Sequence, residues 1–333
     1  MKMSTLIARI AATGLLVALL GPVSAQQTQQ TQQIQQTYPS KPVRMVVPYA
    51  PGGSTSAIAQ LVARQLSEAL GHQVIVDHRA GGNTLIASEL VAKSAPDGYT
   101  LMMTSNAHVV IPQLITTPFD AIKDFATVAT VSSTELVLML SPSVPANTLQ
   151  EFLALAKAKP GQINYASAGS SSATHLAGEL LASMTGIKIQ HVPYKGSGPA
   201  IADLLGGQVQ ASFQTPIVAI PHIKSGKLKA LAVSGDARLS ALPQVPTFTE
   251  AGLPGFNGST WFGVVVPAGT PTPIIDKLSF ELKKILATAD FKEKLISLGM
   301  DPYFTTPEQF DALMKSDMAR FGKIIKASNI KLD

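Results

Sequence analysis

Apolar residues in this chain fall into short uninterrupted runs, each followed by a bend and then by a stretch in which they recur at helical spacing. The first unit is Met45 to Val47, the bend Pro48-Tyr49-Ala50-Pro51-Gly52-Gly53, the polar step Ser54-Thr55-Ser56, and apolar positions at Ile58, Leu61, Val62, Leu66, Ala69 and Leu70. That spacing predicts a helix closed by Gly71 at the C′ position. Further strands are predicted at Val74–Val76, Tyr99–Met103 (ending in Thr104-Ser105-Asn106), Leu136–Leu140, Ile163–Ala166, Ile189–Val192, Val209–Phe213, Leu228–Val233 and Trp261–Val266. Between them come a turn over Arg79–Asn83 and a helix through Ala87, Leu90 and Val91. A helix with the capping box Thr148/Glu151 stops at Pro160-Gly161. A helix over His175–Met184 and a short one begun by Pro199 follow, and then Pro273–Thr288, Asp290–Gly299 and Pro307–Ser328, the last capped by Thr306.

Regular alternation of strand and helix predicts mostly parallel sheets covered by helices on both faces. From Tyr38 onward nearly 300 residues take part, more than one core comfortably holds. The expected fold is α/β, with two Rossmann-like domains joined by a two-crossover hinge. Domain 1 is expected over 38–135 plus 258–333 and domain 2 over 136–257, since the unit at Leu136 starts a fresh series and Pro243–Gly258 is rich in Pro and Gly.

The first residues read differently. Lys2 and Arg9 precede an apolar run from Ile10 to Leu20, and Val23-Ser24-Ala25 supplies small residues for cleavage. This is the pattern of a secretory signal peptide over 1–25, too short for a membrane span. Residues 26–37 form a Gln/Thr-rich tether with too little apolar surface to fold. No later stretch is apolar enough to insert in a membrane, and the absence of cysteine excludes disulfides and a cysteine-borne lipid. Export without cysteine fits a bacterial periplasm. Loss of Lys2 and Arg9 lowers the formal charge from +5 to +3. The remaining basic residues are scattered, which argues against nucleic acid as a partner.

Candidate chemistry lies in two loops. Tyr49, Pro51, Gly52, Gly53, Ser54, Thr55 and Ser56 join a strand to a helix start, and so do Ser167, Ala168, Gly169, Ser170, Ser171, Ser172 and Thr174. Both loops are small, hydroxyl-rich and uncharged. The first N–H groups of a helix have no partner inside it, and with the helix dipole they suit an anion. Ligands of α/β sheets settle beyond the carboxyl ends of strands, so both loops can face one cleft. Tyr49 either covers a ligand with its ring or packs; His175 either lines the cleft or makes a helix-start hydrogen bond; Trp261 belongs to the core. No GxSxG, GxGxxG or P-loop pattern occurs, and the six histidines lack metal-ligand spacing. No base is placed for Ser170, Ser171 or Ser172 to act as a nucleophile. No catalysis, cofactor or metal is expected.

The segments VVPYAPGGSTSAIAQ (46–60), AKSAPDGYTLMMTSNA (92–107), INYASAGSSSATHLAGELL (163–181), HVPYKGSGPAIADLLGGQVQASF (191–213), KSGKLKALAVSG (224–235) and STWFGVVVPAGTP (259–271) resemble the Bug family. These are the periplasmic substrate-binding proteins of tripartite tricarboxylate transporters. The resemblance covers 38–330 and implies a type II periplasmic-binding-protein-like pair of domains closing on a small carboxylate, with delivery to the membrane permease subunits. By position it implies ligand-holding roles for Tyr49 to Ser56 and Ser167 to Thr174. Thr104, Ser105 and Asn106 would form a third wall, and Phe213 and Gln214 a fourth. A monomer is expected.

The chain departs from the common family pattern at Ser56 (usually Asp), Gln60 (usually Arg), Gln214 (often acidic) and the shorter loop Arg79–Asn83. An amino-acid ligand needs an acceptor for its ammonium, commonly a carboxylate. The expected ligand is therefore an acid without a cationic group, a dicarboxylate or aromatic carboxylate, unless Ser56 merely caps its helix as Asp would. Two other functions remain open on the sequence: an exported α/β enzyme acting on a carboxylated substrate, and a sensor component that presents its ligand.

Overall fold

The computed structural model describes residues 38–327 and residue 330. The expected signal peptide, the tether and Ser328 lie outside them. Lys41–Asp333 is one compact unit. In chain order it contains β1 (Val43–Val47), α1 (Ser54–Leu70), β2 (Val74–His78), α2 (Leu85–Ala92), β3 (Thr100–Ser105), α3 (Ala107–Val110), β4 (Phe125–Glu135) and β5 (Val137–Leu140). Next come α4 (Leu149–Ala158), β6 (Asn164–Ser167), α5 (Ala173–Thr185), β7 (Gln190–Pro193), α6 (Ser197–Leu205), β8 (Ala211–Gln214), α7 (Pro216–Lys224) and β9 (Lys229–Val233). The chain ends with β10 (Ser259–Pro267), α8 (Thr272–Ala287), α9 (Ala289–Ser297), β11 (Asp301–Pro302) and α10 (Pro307–Ala327).

Two sheets result, ordered β11-β4-β10-β3-β1-β2 and β7-β6-β8-β5-β9. The fold class is the expected α/β. The pairing is mixed rather than mostly parallel. Parallel ladders are confined to the βαβ units: Arg44 of β1 lies opposite Ile75 and Thr100, and Tyr165 of β6 opposite His191 and Ala211. β10 runs antiparallel to β3 and β4, and β5 antiparallel to β8 and β9. The physical reason is continuity. A strand that passes straight through from the other sheet enters at the end where the βαβ strands finish, so it must run against them.

The apolar patterning builds cores on both faces of the second sheet. On β5, Leu138 and Leu140 join Phe152, Tyr165 and Phe213 on one face, whereas Val137 and Met139 join Ile201, Leu204 and Val218 on the other. That is the two-residue period of a strand. In the first sheet Val46, Met102, Val265 and Trp261 pack with Phe310. Trp261 is core, and its Nε1 donates to Asp317 at 2.8 Å.

Four elements are absent from the sequence-based expectation, the short α3 and β11 and the longer β4 and α7. β4 breaks its apolar run with Thr130, Ser132 and Thr134, whose hydroxyls donate to the carbonyls of Tyr303, Asp301 and Gly299 at 2.6, 3.0 and 2.9 Å. α7 carries Pro216 and Pro221 and so reads as a loop, although proline is well suited to a first helical position. α6 begins at Ser197, two residues before Pro199.

The chain crosses between the sheets at Glu135–Leu136 and again at Gly258, and one hydroxyl touches both crossings. Ser234 Oγ accepts from Leu136 N at 2.8 Å, lies 3.0 Å from Glu135 Oε2 and meets the Gly258 carbonyl. Burial pushes the Glu135 carboxyl above its ordinary range; the Ser234 bond opposes this and the nearby Asp236 and Asp301 add to it. Ser234→Ala leaves the buried Leu136 N–H without this partner and should cost about 1–3 kcal/mol. Urea unfolding measures it, and an unchanged midpoint would show that the contact contributes nothing.

Candidate functional site

α1 starts without a side-chain cap. Its N-cap is Gly53, in extended conformation, and the first helical bond runs from Ala57 N to Gly53 O at 3.0 Å. The N–H groups of Ser54, Thr55 and Ser56 have no hydrogen-bond partner among the described residues. His78 latches the bend from behind: Nδ1 lies 3.0 Å from the Tyr49 carbonyl and Nε2 3.3 Å from Ser56 Oγ. A carbonyl only accepts, so Nδ1 carries the hydrogen, and in the neutral ring Nε2 accepts from Ser56. Ser56 therefore neither caps α1 nor offers its hydroxyl to a guest.

The β6–α5 loop, although hydroxyl-rich, uses most of its polar atoms on itself. Ser172 Oγ donates to Gly169 O at 2.6 Å and accepts from His175 N at 3.3 Å; Thr174 Oγ1 accepts from Ala168 N at 2.9 Å. Ser167 Oγ pairs with His191 Nε2 at 2.6 Å and accepts from Gly169 N at 3.1 Å. Ser170 N donates to Asn83 Oδ1 at 3.1 Å. The N–H groups of Ala173 and Thr174 are left without a partner among the described residues.

Four helix starts border one cavity. α1 contributes Gly53, Ser54 and Thr55, α5 contributes Ser172, Ala173 and Thr174, α6 contributes Ser197, and Thr215 is the N-cap of α7. Tyr49, Ser105, Asn106 and Ala168 complete the polar wall, and Leu136, Thr260 and Phe262 close it from the crossovers. No lining side chain carries a formal charge. Tyr49, the one titratable group there, is pushed up to about 12 by burial, against the pull of its 3.2 Å bond to Ser105 Oγ. Positive helix ends in an uncharged, buried space favour an anion.

Of the residues predicted from sequence, Tyr49, Gly53, Ser54, Thr55, Ser105, Asn106, Ala168 and Thr174 meet at this cavity. Gly169 and Ser171 instead line a neighbouring opening that shares Tyr49 and Ala168 with the first and is also lined by Lys195. Gly52 and Ser56 line a third opening beside Gln60. Pro51 turns its carbonyl toward Gly198. Thr104 and Ser167 are buried in their strands, and Ser170 faces Asn83. His175 makes the helix-start bond, Nδ1 to Ser170 O, and stacks on His191 at 4.0 Å between ring centroids. Phe213 stacks with Phe248 and Phe256 in the core, and Gln214 is fully buried with Nε2 on Ser212 Oγ at 2.8 Å.

Ser172 and Ala173, within the predicted loop Ser167 to Thr174, also line it, whereas Leu136, Ser197, Thr215, Thr260 and Phe262 were not predicted at the site. Ser197 and Thr215 repeat the pattern of Ser54, a hydroxyl residue where a strand gives way to a helix, and that signal was available. Thr260 and Phe262 come from β10, a strand whose apolar run is legible but whose approach to the cavity depends on the other sheet.

The loops also touch across the cleft. Ala50 N donates to Lys195 O at 2.9 Å. Asn83, in the left-handed conformation at φ 52°, accepts from Ser170 N. Among the described residues no group of three or more His, Asp or Glu can hold a metal.

The model of the tripartite tricarboxylate transporter family receptor matches residues 58–330. The chain belongs to that family. Protein BugT of Bordetella pertussis is 36% identical over the whole of both chains. Among solved structures, R. palustris Rpa4515 with adipate is 32% identical with a TM-score of 0.86, over 88% of this chain and 99% of that one. MatC from Rhodopseudomonas palustris with bound malate is 29% identical with a TM-score of 0.82, over 86% of this chain and all of that one. Members of this receptor family are periplasmic binding proteins, not enzymes, which removes the exported-enzyme alternative. No helix among the described residues is long and apolar enough to cross a membrane.

Proposed function

We propose that this receptor captures a small carboxylate in the uncharged cavity and delivers it to the membrane subunits of a tripartite tricarboxylate transporter. The observation that carries this reading is the convergence of unpartnered N–H groups from α1 and α5 on a space without cationic side chains. Adipate in Rpa4515 and malate in MatC support a carboxylate. The chain works in the periplasm as a monomer without cofactor, after cleavage near Ala25. Segments 38–135 plus 258–333 and 136–257 act as its two domains, and the crossings beside Ser234 are the hinge.

The ligand is an acid without an ammonium group. No carboxylate lines the cavity, and an ammonium there would face helix ends of its own sign. A thermal-shift screen of mono-, di- and tricarboxylates tests the reading, because a ligand that binds only the folded state raises its stability as concentration exceeds Kd. Calorimetry then compares succinate with aspartate, and the des-amino acid should bind at least about tenfold tighter. Tighter binding of aspartate would remove this account of the ligand, and the absence of any shift would remove the carboxylate itself.

A further inference from the structure

Thr215 is a lining residue that neither glycine- or serine-rich loop accounts for. It occupies the N-cap of α7, yet its side chain makes no capping bond. Only 3% of its surface is exposed, and Oγ1 has no hydrogen-bond partner among the described residues. A buried hydroxyl without a partner is unfavourable, and a valine would fill the same space without that cost. An orphan polar atom in the wall of a binding cavity is accounted for by a partner that arrives with the guest.

We propose that Thr215 is a specificity-determining residue whose hydroxyl donates to a second oxygen-bearing group of the bound acid. The cavity then selects a dicarboxylate over the monocarboxylate of equal chain length. This rests on the reading that the cavity holds a carboxylate. The sheet order β7-β6-β8 places β8 directly beside β6, and neighbouring strands lie about 5 Å apart. The mouth of α7, which follows β8, is therefore one strand spacing from the mouth of α5, which follows β6. A first carboxylate on the N–H groups of Ala173 and Thr174, shared with Ser54 and Thr55, puts a group a few bonds along the chain beside Thr215. Pro216 follows Thr215 and has no N–H to offer. The hydroxyl is the donor at this point, and the positive end of α7 gives the site its preference for negative charge.

The discriminating variants are Thr215→Val, which removes only the hydroxyl, and Thr215→Ser, which keeps it. Calorimetry with the pairs succinate/butyrate and adipate/hexanoate is run beside thermal melting of the unliganded proteins. The wild type should bind at least one diacid more tightly than its monoacid. Thr215→Val should raise the Kd for that diacid about ten- to hundredfold, leave the monoacid unchanged, and melt at the same temperature or higher. Thr215→Ser should retain the preference. Wild-type diacid affinity in Thr215→Val overturns the inference, as does an equal loss for both acids with a fallen Tm, which is the mark of a structural role. A wild-type preference for the monoacids overturns it as well. If the wild type binds none of the four acids, and none in the wider screen, the carboxylate reading fails and this role fails with it.

Discussion

Replacing Gly198 with alanine should weaken ligand capture by about a hundredfold or more while both sheets remain folded. An alanine Cβ at this position would lie 2.4 Å from the Pro51 carbonyl oxygen and 3.5 Å from the Gly52 carbonyl carbon. Both are main-chain atoms of the β1–α1 bend, so no rotamer relieves the clash; the bend must move away from α6. That movement parts Ala50 N from Lys195 O, now 2.9 Å apart, and takes Ser197 away from Ser54 and Thr55 across the cavity. Within α6 itself alanine is the better helix former, so the damage falls on the fit between the two sides. Calorimetry with the best acid of the screen reads the loss, and far-UV circular dichroism checks the fold. Wild-type affinity in a folded variant would mean that the Pro51–Gly198 approach plays no part in capture.

Acid should destabilise the protein before most of its carboxylates are protonated. His108 is enclosed by Phe119 and Phe125, with ring centroids 6.0 and 4.5 Å away. Its Nε2 donates to Ala121 O at 2.9 Å, Nδ1 has no partner among the described residues, and burial lowers its pKa to about 4. His191 is lowered to about 3 by burial and by the stacked His175. Both folded values lie below the ordinary value near 6.5. The unfolded chain therefore takes up protons that the folded chain refuses. The stability these rings support is complete above pH ~6.5 and is lost as pH falls toward about 4 for His108 and about 3 for His191, at up to about 1.4 kcal/mol per histidine for each pH unit. Urea midpoints should hold steady above neutrality and fall continuously from pH ~6 to ~4, and His108→Gln should flatten part of that slope. A midpoint unchanged between pH ~7 and ~5 would contradict the prediction.

The α/β alternation and the two loops were legible because each rests on local pattern. Gly71 and Gly186 end α1 and α5 in the left-handed conformation, as their place after an apolar period suggests. Thr148 caps α4 through Glu151 N. What escaped depends on distant partners. β4 is a strand whose alternating hydroxyls make sense only beside the 299–303 segment. Asn83 looks like one turn residue among several until Ser170 is set against it. The serines of 167–172 advertise donors, and whether those donors face a guest or the loop's own backbone is a matter of angles that composition does not encode. Phe213 and Gln214 were two residues and one residue short of the position that reaches the cavity, Thr215, which lies past the end of β8 at the N-cap of α7.

The unpartnered amides of α1 and α5 have an evolutionary corollary. A codon change swaps what hangs from Cα and leaves the peptide hydrogen where the helix puts it, proline excepted. Mutation at Phe262, Leu136 or Thr215 can therefore reshape the room around a cargo without disturbing the attraction for its negative end. A lineage built on this frame is free to diversify in diet by small steps, each intermediate still able to hold an acid.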